Sequence, residues 1–356
     1  MRLALALILA LLSFPSLAQD AAIPDPVMQG AVDGVIRPGM IGFAREASGL
    51  ASTMGLLCSA PSSAALEIAK GQFREAALAY GHIELLRLGP LMEDDRADRL
   101  LFWPDRRSTG LRQVQAILAN ADETATDPAT LRDKSVALQG FGALEYVLFG
   151  TDAETLSAPE GNFRCRFGSA IAQSIATVGQ ELATGWYRPD GIAQHLMLPS
   201  ADNTDYRTRL EATEALVGLL SHGLEAVRDT RINPFIAKDG DEANPKLALF
   251  WRSGLTVAML RANIHGLRDL FTVSGVALPV PKAQQGLAAS IEFEFRNADR
   301  AINLVTLPLE QAVVDEKQAH ALDYLVIVTS SLQTMLGEQL STALGLSVGF
   351  SSLDGD

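Results

Sequence analysis

The stretch Leu138–Gly150 places one carboxylate inside an otherwise apolar helical pattern. Glu145 shares a stripe of three-to-four spacing with Leu138, Gly142 and Phe149. A carboxylate buried in such a stripe is costly unless it is paired, protonated or bound to a cation. Glycine also disfavours a helix interior, so Gly142, one turn earlier, indicates that another group comes close to Glu145.

A second set of polar residues lies on the helix predicted from about residue 64 to residue 88. His82 and Glu84 are two apart and face different sides, so they cannot chelate together on that helix. Glu84 and Arg87, at i and i+3, can form an ion pair, which serves either as a structural bridge or as a site wall. For His82, a core histidine satisfied by its neighbours is favoured over a ligand.

The segment Leu100–Arg107 combines an aromatic anchor with charges, and Pro104 prevents a continuous helix there. One interpretation is a structured connection in which Trp103 packs and Asp105 caps the next helix. Loops with this composition also line pockets. Asp105 and Arg106 are therefore candidates for ligand binding.

Two further candidates begin a helix predicted over residues 250–271. Arg252 and Ser253 lie in its first turn, where backbone amide groups lack helical partners. Those amides could hold an anion or a neighbouring loop, and a simple N-terminal turn is the alternative.

The first 18 residues read as a secretory signal peptide, with one basic residue, an apolar run and Ser16-Leu17-Ala18 before the expected cut. The apolar run is too short for a membrane span, and no other stretch suits one. Loss of Arg2 takes the formal charge from −13 to −14. This balance argues against nucleic-acid binding and is compatible with cation handling, although acidic surfaces mostly serve solubility. In a bacterium, export predicts a periplasmic protein.

Composition and length predict an all-α protein with more than one domain. Alanine and leucine are abundant, strand-like alternation is rare, and about 340 residues exceed a usual single core. We expect two antiparallel helical bundles related by duplication. The predicted divisions are a signal peptide over 1–18, an N-terminal bundle over 19–190, a linker over 191–205 and a C-terminal bundle over 206–356.

The chain has two cysteines, Cys58 and Cys165. The oxidising compartment favours a disulfide between them, and two buried free thiols are the alternative. Two cysteines are too few for a zinc-finger set.

Several catalytic motifs are absent from the sequence. No Gly-rich phosphate loop, Gly-x-Ser-x-Gly elbow or His-Glu-x-x-His zinc motif occurs. The five histidines are widely spaced, whereas a hydrolytic zinc usually takes three protein ligands that include histidine. Only His82 lies in a segment expected to approach Glu145, which weakens a protease assignment.

Leu138–Gly150 resembles the signature of the imelysin family, Gly-x-His-x-x-Glu followed by an apolar run and Phe-Gly. The match consists of Gly140, Glu145 and the tail Tyr146–Gly150, while Gly142 stands at the histidine position. In the family, His and Glu at i and i+3 can face one metal ion. The resemblance extends as short motifs over nearly the whole mature chain and implies an imelysin-like protein with an altered site.

The predicted site lies where the two bundles meet, as helix bundles often place ligands there. Oxygen ligands such as Glu84 and Glu145 suit iron, calcium or manganese. The candidates assigned to a metal are Glu145, His82 and Glu84, and those assigned to another ligand are Arg87, Asp105, Arg106, Arg252 and Ser253.

The resemblance implies two functions, and the arginines suggest a third. The first is a non-catalytic periplasmic binding or accessory protein of iron uptake, with iron or another divalent metal as ligand and membrane uptake components as partners. The second is a metallopeptidase, which the missing histidine disfavours. The third is a binder of an anionic organic ligand through the arginines.

Overall fold

A computed structural model of the chain describes residues 26–238 and 240–347. Every regular element within these residues is helical, which confirms the all-α prediction. None of the described helices is long and apolar enough to cross a membrane. The predicted signal peptide, residues 1–18, lies outside the described residues.

The first half of the chain is built from long helices joined by short helical turns. Its α-helices are α1 Pro26–Ala31, α2 Arg37–Ser59, α3 Ser63–Ile83, α4 Arg96–Leu100, α5 Thr109–Asn120, α6 Pro128–Arg132, α7 Phe141–Phe149, α8 Asn162–Gly185 and α9 Ile192–Met197. Its 3-10 turns are Gly89–Met92, Glu123–Ala125, Val136–Leu138, Ala153–Ser157 and Pro159–Gly161, and a π-helical turn spans Val32–Ile36.

The second half follows the same pattern. Its α-helices are α10 Arg209–Ala226, α11 Thr256–Ser274, α12 Gly286–Leu304, α13 Leu309–Ala312, α14 Glu316–Thr334 and α15 Ser341–Leu344. Its π-helical turns are Val227–Ile232 and Met335–Leu340, and its 3-10 turns are Pro245–Leu247 and Lys282–Gln284. The predicted linker, 191–205, contains α9. The domain limits and the duplication stay predictions.

The first helical segment does not break at Pro38-Gly39. Helical structure continues from α1 through Val32–Ile36 into α2, with Pro38 near the start of α2. The Arg37 amide donates to the carbonyl of Val32, five residues back. Such a widened turn accommodates the proline ring, which lacks an N–H and crowds a preceding carbonyl in regular α-helix.

The core of the first half forms around α2, which packs against α3 and α8. Cys58 near the end of α2 and Cys165 near the start of α8 form a disulfide, with Cα atoms 5.4 Å apart. This confirms the predicted pairing.

The two halves meet where α3 of the first half crosses α11 of the second, and α11 also packs against α12. A Cβ at Gly266 would lie 2.0 Å from the His82 carbonyl oxygen, and a Cβ at Gly81 would lie 2.6 Å from the Met259 sulfur. The crossing is therefore close enough to require small residues. In the rest of the second half, α14 packs against α10 and α12.

The helix that carries Glu145 is shorter than predicted, because α7 begins only at Phe141. Gly140 precedes it in extended conformation, and a Cβ there would lie 2.2 Å from the Leu100 carbonyl oxygen. Gly142 is therefore in the first turn of α7 and not in a helix interior. At this position Gly142 destabilises α7 less than glycine would in a helix interior, where the sequence had predicted it.

Removal of the disulfide should lower the stability of the folded protein. The bridge closes a loop with a sequence separation of 107, which corresponds to about 4–5 kcal/mol in the chain-entropy model. Denaturant unfolding of the oxidised protein and of a Cys58→Ser/Cys165→Ser variant measures this difference. Equal unfolding free energies in the two proteins would contradict the prediction.

Candidate functional site

A cavity of about 310 Å³ lies between the two halves. The first half contributes the loop before α5, part of α5 and the first turns of α7. The second half contributes the Val227–Ile232 turn and the segment before α11. The lining includes Phe102, Trp103, Pro104, Asp105, Arg106, Gly142, Glu145 and Tyr146 from the first half, and Asp229, Thr230, Lys246, Phe250, Trp251 and Arg252 from the second.

Glu145 joins the two halves at the cavity wall. Its side chain is buried, with 5% of its surface exposed. Oε1 accepts hydrogen bonds from the backbone N–H of Ser253 at 2.9 Å and from its hydroxyl at 2.8 Å. Glu145 is therefore paired with Ser253 of the second half and not with Arg87 or His82.

Burial determines the titration of Glu145. Removal from water raises the pKa of its carboxyl group above the ordinary value, although the Ser253 donors and the positive charge of Arg252 act in the opposite direction. The neutral donors of Ser253 and the Arg252 cation, which forms no salt bridge with Glu145, do not fully offset the cost of removing the charged carboxylate from water.

A turn over residues 250–254 carries Ser253 to Glu145. Phe250 has a φ of 58°, unusual for a bulky residue, and its ring is fully buried. This ring contacts Phe73 and Phe141 of the first half, at centroid distances of 5.7 and 6.4 Å. The predicted helix over 250–271 thus begins later, at Thr256, because the preceding residues form this anchoring turn.

Arg252 is held between two aromatic rings. Its guanidinium carbon lies 4.5 Å from the ring centroid of Trp251 and 5.4 Å from that of Tyr146. The ammonium group of Lys246 lies 5.9 Å from the Trp251 ring. Cations over aromatic faces are stabilised electrostatically. The second half therefore presents positive charge and aromatic surface together at the cavity.

The loop before α5 contributes both structural and cavity-lining groups. Asp105 accepts hydrogen bonds from the amides of Thr109 at 2.6 Å and Gly110 at 2.9 Å, so it caps α5 while lining the cavity. The Trp103 indole N–H donates to the Thr230 carbonyl at 2.9 Å and thereby reaches the second half. Arg106 is exposed at the rim.

Gly142, at the histidine position of the family signature, opens directly onto the cavity. It is exposed, and a Cβ built there would meet no described atom within 4 Å. Gly142 and Glu145 both line the cavity from α7. A side chain at position 142 would therefore project into free space one turn from Glu145.

Glu84 belongs to a different buried cluster. Helix α3 ends at Ile83, so the helical spacing that would pair Glu84 with Arg87 does not exist. Glu84 Oε1 instead accepts from Arg231 Nη2 at 3.3 Å and Asn263 Nδ2 at 2.9 Å, both in the second half. Arg87 is exposed and does not line the cavity.

His82 also lies away from the cavity. Its Nε2 is 3.4 Å from a carboxylate oxygen of Asp269 on α11. Partial burial lowers the pKa of the imidazole, and the charge of Asp269 opposes that shift. The predicted convergence of His82, Glu84 and Arg87 with Glu145 is therefore wrong.

The side chains do not fit a metal centre built from protein ligands alone. In the described part of the chain, no group of three or more His, Cys, Asp or Glu side chains is placed to hold a metal ion. Glu145 is the predicted metal ligand that lines the cavity, and its Oε1 already accepts two hydrogen bonds.

Sequence reasoning missed several residues of the cavity. Tyr146, Lys246 and Trp251 were not singled out, although Tyr146 follows Glu145 and Trp251 precedes Arg252. The aromatic residues beside Glu145 and Arg252 were the available signal for Tyr146 and Trp251. The contribution of Thr230 is a backbone carbonyl, which no sequence pattern indicates.

The structure is an all-α fold with a cavity between its two halves, and comparisons identify the family. The family model described as Imelysin (Peptidase_M75) matches residues 38–340. The chain therefore belongs to the imelysin family.

Individual relatives agree with this assignment. The chain is 26% identical over 303 residues to "Iron-regulated protein A" of Synechococcus elongatus, a match that covers 82% of this chain and 78% of that protein.

Two crystal structures share the fold. An imelysin-like protein from Psychrobacter arcticum has a TM-score of 0.74 and 17% identity, covering 92% of this chain and 98% of that one. A putative iron-regulated protein A precursor from Parabacteroides distasonis has a TM-score of 0.74 and 15% identity, covering 93% of this chain and 97% of that one.

The raised pKa of Glu145 predicts a pH-dependent effect of Glu145→Gln. Because the folded-state pKa lies above the unfolded one, Glu145 contributes its full stability below the unfolded pKa and loses it as the pH rises through the folded value. Glutamine stays neutral and can still accept from Ser253. The unfolding free energy of the variant relative to wild type should thus increase from about pH 4 to about pH 8.

Denaturant unfolding across that pH range measures the difference, and Glu310→Gln at an exposed position on α13 is the matched control. A difference that does not change with pH would show that Glu145 has the same protonation in both states.

Proposed function

We propose that this protein is an exported, non-catalytic binding protein of iron acquisition and that the cavity between its halves is the binding site. The observation that carries the proposal is the shared exposure of Gly142 and Glu145 to a cavity lined by both halves. Ligand sites in helical proteins commonly occupy such concave, largely apolar spaces between packed helices.

Several features of the cavity suit binding. Three hydrogen bonds cross the seam beside it, two from Ser253 to Glu145 and one from Trp103 to Thr230. These bonds hold the two walls in place before a ligand arrives. A preformed site avoids part of the ordering cost of binding.

The iron connection comes from relatives. Two of the matching proteins carry the words "iron-regulated protein A" in their names. That description concerns those proteins, and it supports a role for this chain in iron nutrition. Iron is then cargo, and a small organic molecule that accompanies it can supply donor atoms that the protein lacks.

Gly142 supports a site in which the ligand supplies metal donor atoms that the protein lacks. A histidine at that position would supply a nitrogen donor one turn from Glu145. Glycine leaves the same place open to the cavity. A donor atom of the incoming ligand can occupy it.

The predicted signal peptide supports export, and the name of the Parabacteroides distasonis relative includes the word precursor. A periplasmic location follows if the source is a bacterium with two membranes. Membrane components of iron uptake are the expected partners.

A metallopeptidase is the second candidate, because the matching family model carries the name Peptidase_M75. Hydrolytic zinc sites usually combine three protein ligands with an open position. A peptidase assay with and without added zinc, beside a metal-stripped control, tests this alternative.

Restoring the histidine of the family signature should strengthen metal binding. Gly142→His would place an imidazole and the Glu145 carboxylate one helical turn apart, and the cavity has room for the side chain. Calorimetry with ferrous iron or zinc on metal-stripped proteins should show tighter binding by the variant. Equal affinities would show that Gly142 is not a vacated ligand position.

A large side chain that fills the cavity should abolish iron retention by the protein. Gly142→Phe would project a ring into the cavity, while Gly286→Phe places the same ring at an exposed first-turn position of α12, where a Cβ also meets no described atom within 4 Å. We expect loss of iron retention for the first variant only, measured by gel filtration after incubation with radioactive ferric nitrilotriacetate.

The same pair of variants can be tested in cells of the source organism lacking the gene. Growth under iron limitation should be restored by wild type and Gly286→Phe, and not by Gly142→Phe. Full restoration by Gly142→Phe, or no iron retention by wild type, would overturn the proposed function.

A further inference from the structure

We infer that the cavity between the halves binds a small planar aromatic anion, whose ring packs against Tyr146 and Trp251 and whose acidic oxygens bind Arg252 and Lys246. This inference rests on the proposed function, because it assigns a ligand class to the same cavity. An aryl carboxylate with an adjacent hydroxyl group belongs to this class, and the same oxygens can chelate ferric iron.

The aromatic surface of the cavity supports a ring-shaped ligand. Trp103 and Tyr146 come from the first half and Trp251 from the second, so aromatic residues line the space from both sides of the seam. Aromatic pairs with centroids roughly 4.5–7 Å apart gain energy beyond the area they bury. A planar ring can make such contacts with both halves at once.

The charges at the cavity favour an anion. Arg106, Lys246 and Arg252 all line it. The neighbouring acids are engaged elsewhere: Asp105 caps α5, and Asp229 accepts from Arg228 at 2.7 Å. The lining cations are therefore not neutralised by these two carboxylates and are available to a ligand.

Arg252 is the best-placed of these cations. The rings of Trp251 and Tyr146 restrict its guanidinium group, so less conformational freedom is lost when a ligand binds. A guanidinium group that contacts aromatic faces can still use its edge for two parallel hydrogen bonds to a carboxylate. The same contacts bring a bound aryl carboxylate close to Tyr146 and Trp251.

Glu145 is compatible with an anion at this place. Burial raises the pKa of its carboxyl group, which favours the neutral form. The hydrogen bonds from Ser253 both go to Oε1. Oε2 accepts neither Ser253 bond, so a neutral Glu145 with its proton on Oε2 can donate a hydrogen bond to a ligand oxygen.

The volume restricts the size of the ligand. The cavity of about 310 Å³ lies at the lower end of the range of small-molecule pockets. It suits one aromatic ring with its substituents better than a large chelator that carries several rings.

The test uses the full mature protein without iron and with 2-hydroxybenzoate as the probe. Two of the three tryptophans, Trp103 and Trp251, line the cavity, whereas Trp186 is fully buried elsewhere. Binding should quench tryptophan fluorescence and appear in calorimetry. Cyclohexanecarboxylate, which lacks the aromatic ring, and benzyl alcohol, which lacks the charge, should each bind at least about tenfold more weakly.

Variants of the cavity residues test where 2-hydroxybenzoate binds. Arg252→Gln should weaken 2-hydroxybenzoate binding by about tenfold to a hundredfold, because a charge-assisted contact is lost. Arg252→Lys keeps the charge but loses the planar fork, and its affinity should fall between those of wild type and Arg252→Gln. Lys246→Gln should weaken binding, whereas Lys282→Gln, at an exposed lysine in a similar 3-10 turn of the second half, should not.

The outcomes separate this inference from the proposed function. Retention of ferric nitrilotriacetate without binding of 2-hydroxybenzoate would overturn the ligand class and leave the iron-binding role intact. Equal binding of 2-hydroxybenzoate and cyclohexanecarboxylate would also overturn it. Unchanged affinity in folded Arg252→Gln and Lys246→Gln, with melting curves as the folding control, would place the probe elsewhere and contradict the inference.

Discussion

The cavity depends on one contact, the pair of hydrogen bonds from Ser253 to Glu145. Each half of the protein contributes one side of this contact. Helix α7 buries the carboxylate, and the turn after Phe250 brings a backbone N–H and a hydroxyl to it. Because a buried carboxylate without partners is costly, the second half cannot move away from α7 without exposing or stranding Glu145. The distance between the cavity walls is therefore set by a contact that also keeps Glu145 at the cavity wall.

Two buried glutamates at the seam have different chemistry because their partners differ. Glu84 accepts from the charged guanidinium group of Arg231 and from the amide of Asn263. The cluster of these three residues does not line the cavity. Glu145 accepts from the neutral donors of Ser253, and burial raises its pKa. Glu84 thus bridges the halves away from the cavity, while Glu145 bridges them at the cavity wall.

Local sequence patterns predicted which residues belong to the site better than which of those residues contact each other. Periodicity placed Glu145 on a buried face, and the compartment argument predicted the bond between Cys58 and Cys165. Arg252 and Ser253 were recognised from their predicted place in the first turn of a helix, although α11 begins only at Thr256. The partner of Glu145 could not be found this way, because a helical face says nothing about which distant segment covers it. The Glu84–Arg87 pairing failed for a local reason: α3 ends at Ile83, and helical spacing has no meaning beyond that residue.

The π-helical turn Val227–Ile232 connects the two parts of the seam. Arg231 in this turn bonds to Glu84 of the first half, while the neighbouring carbonyl of Thr230 accepts from the indole of Trp103 at the cavity. One short segment thus fixes both the buried ion pair and an aromatic wall of the cavity. A ligand that contacts Trp103 and Trp251 would touch both halves, and its binding energy would stabilise their present arrangement over any more open one. A ligand in the cavity would therefore couple its binding to the relative position of the halves.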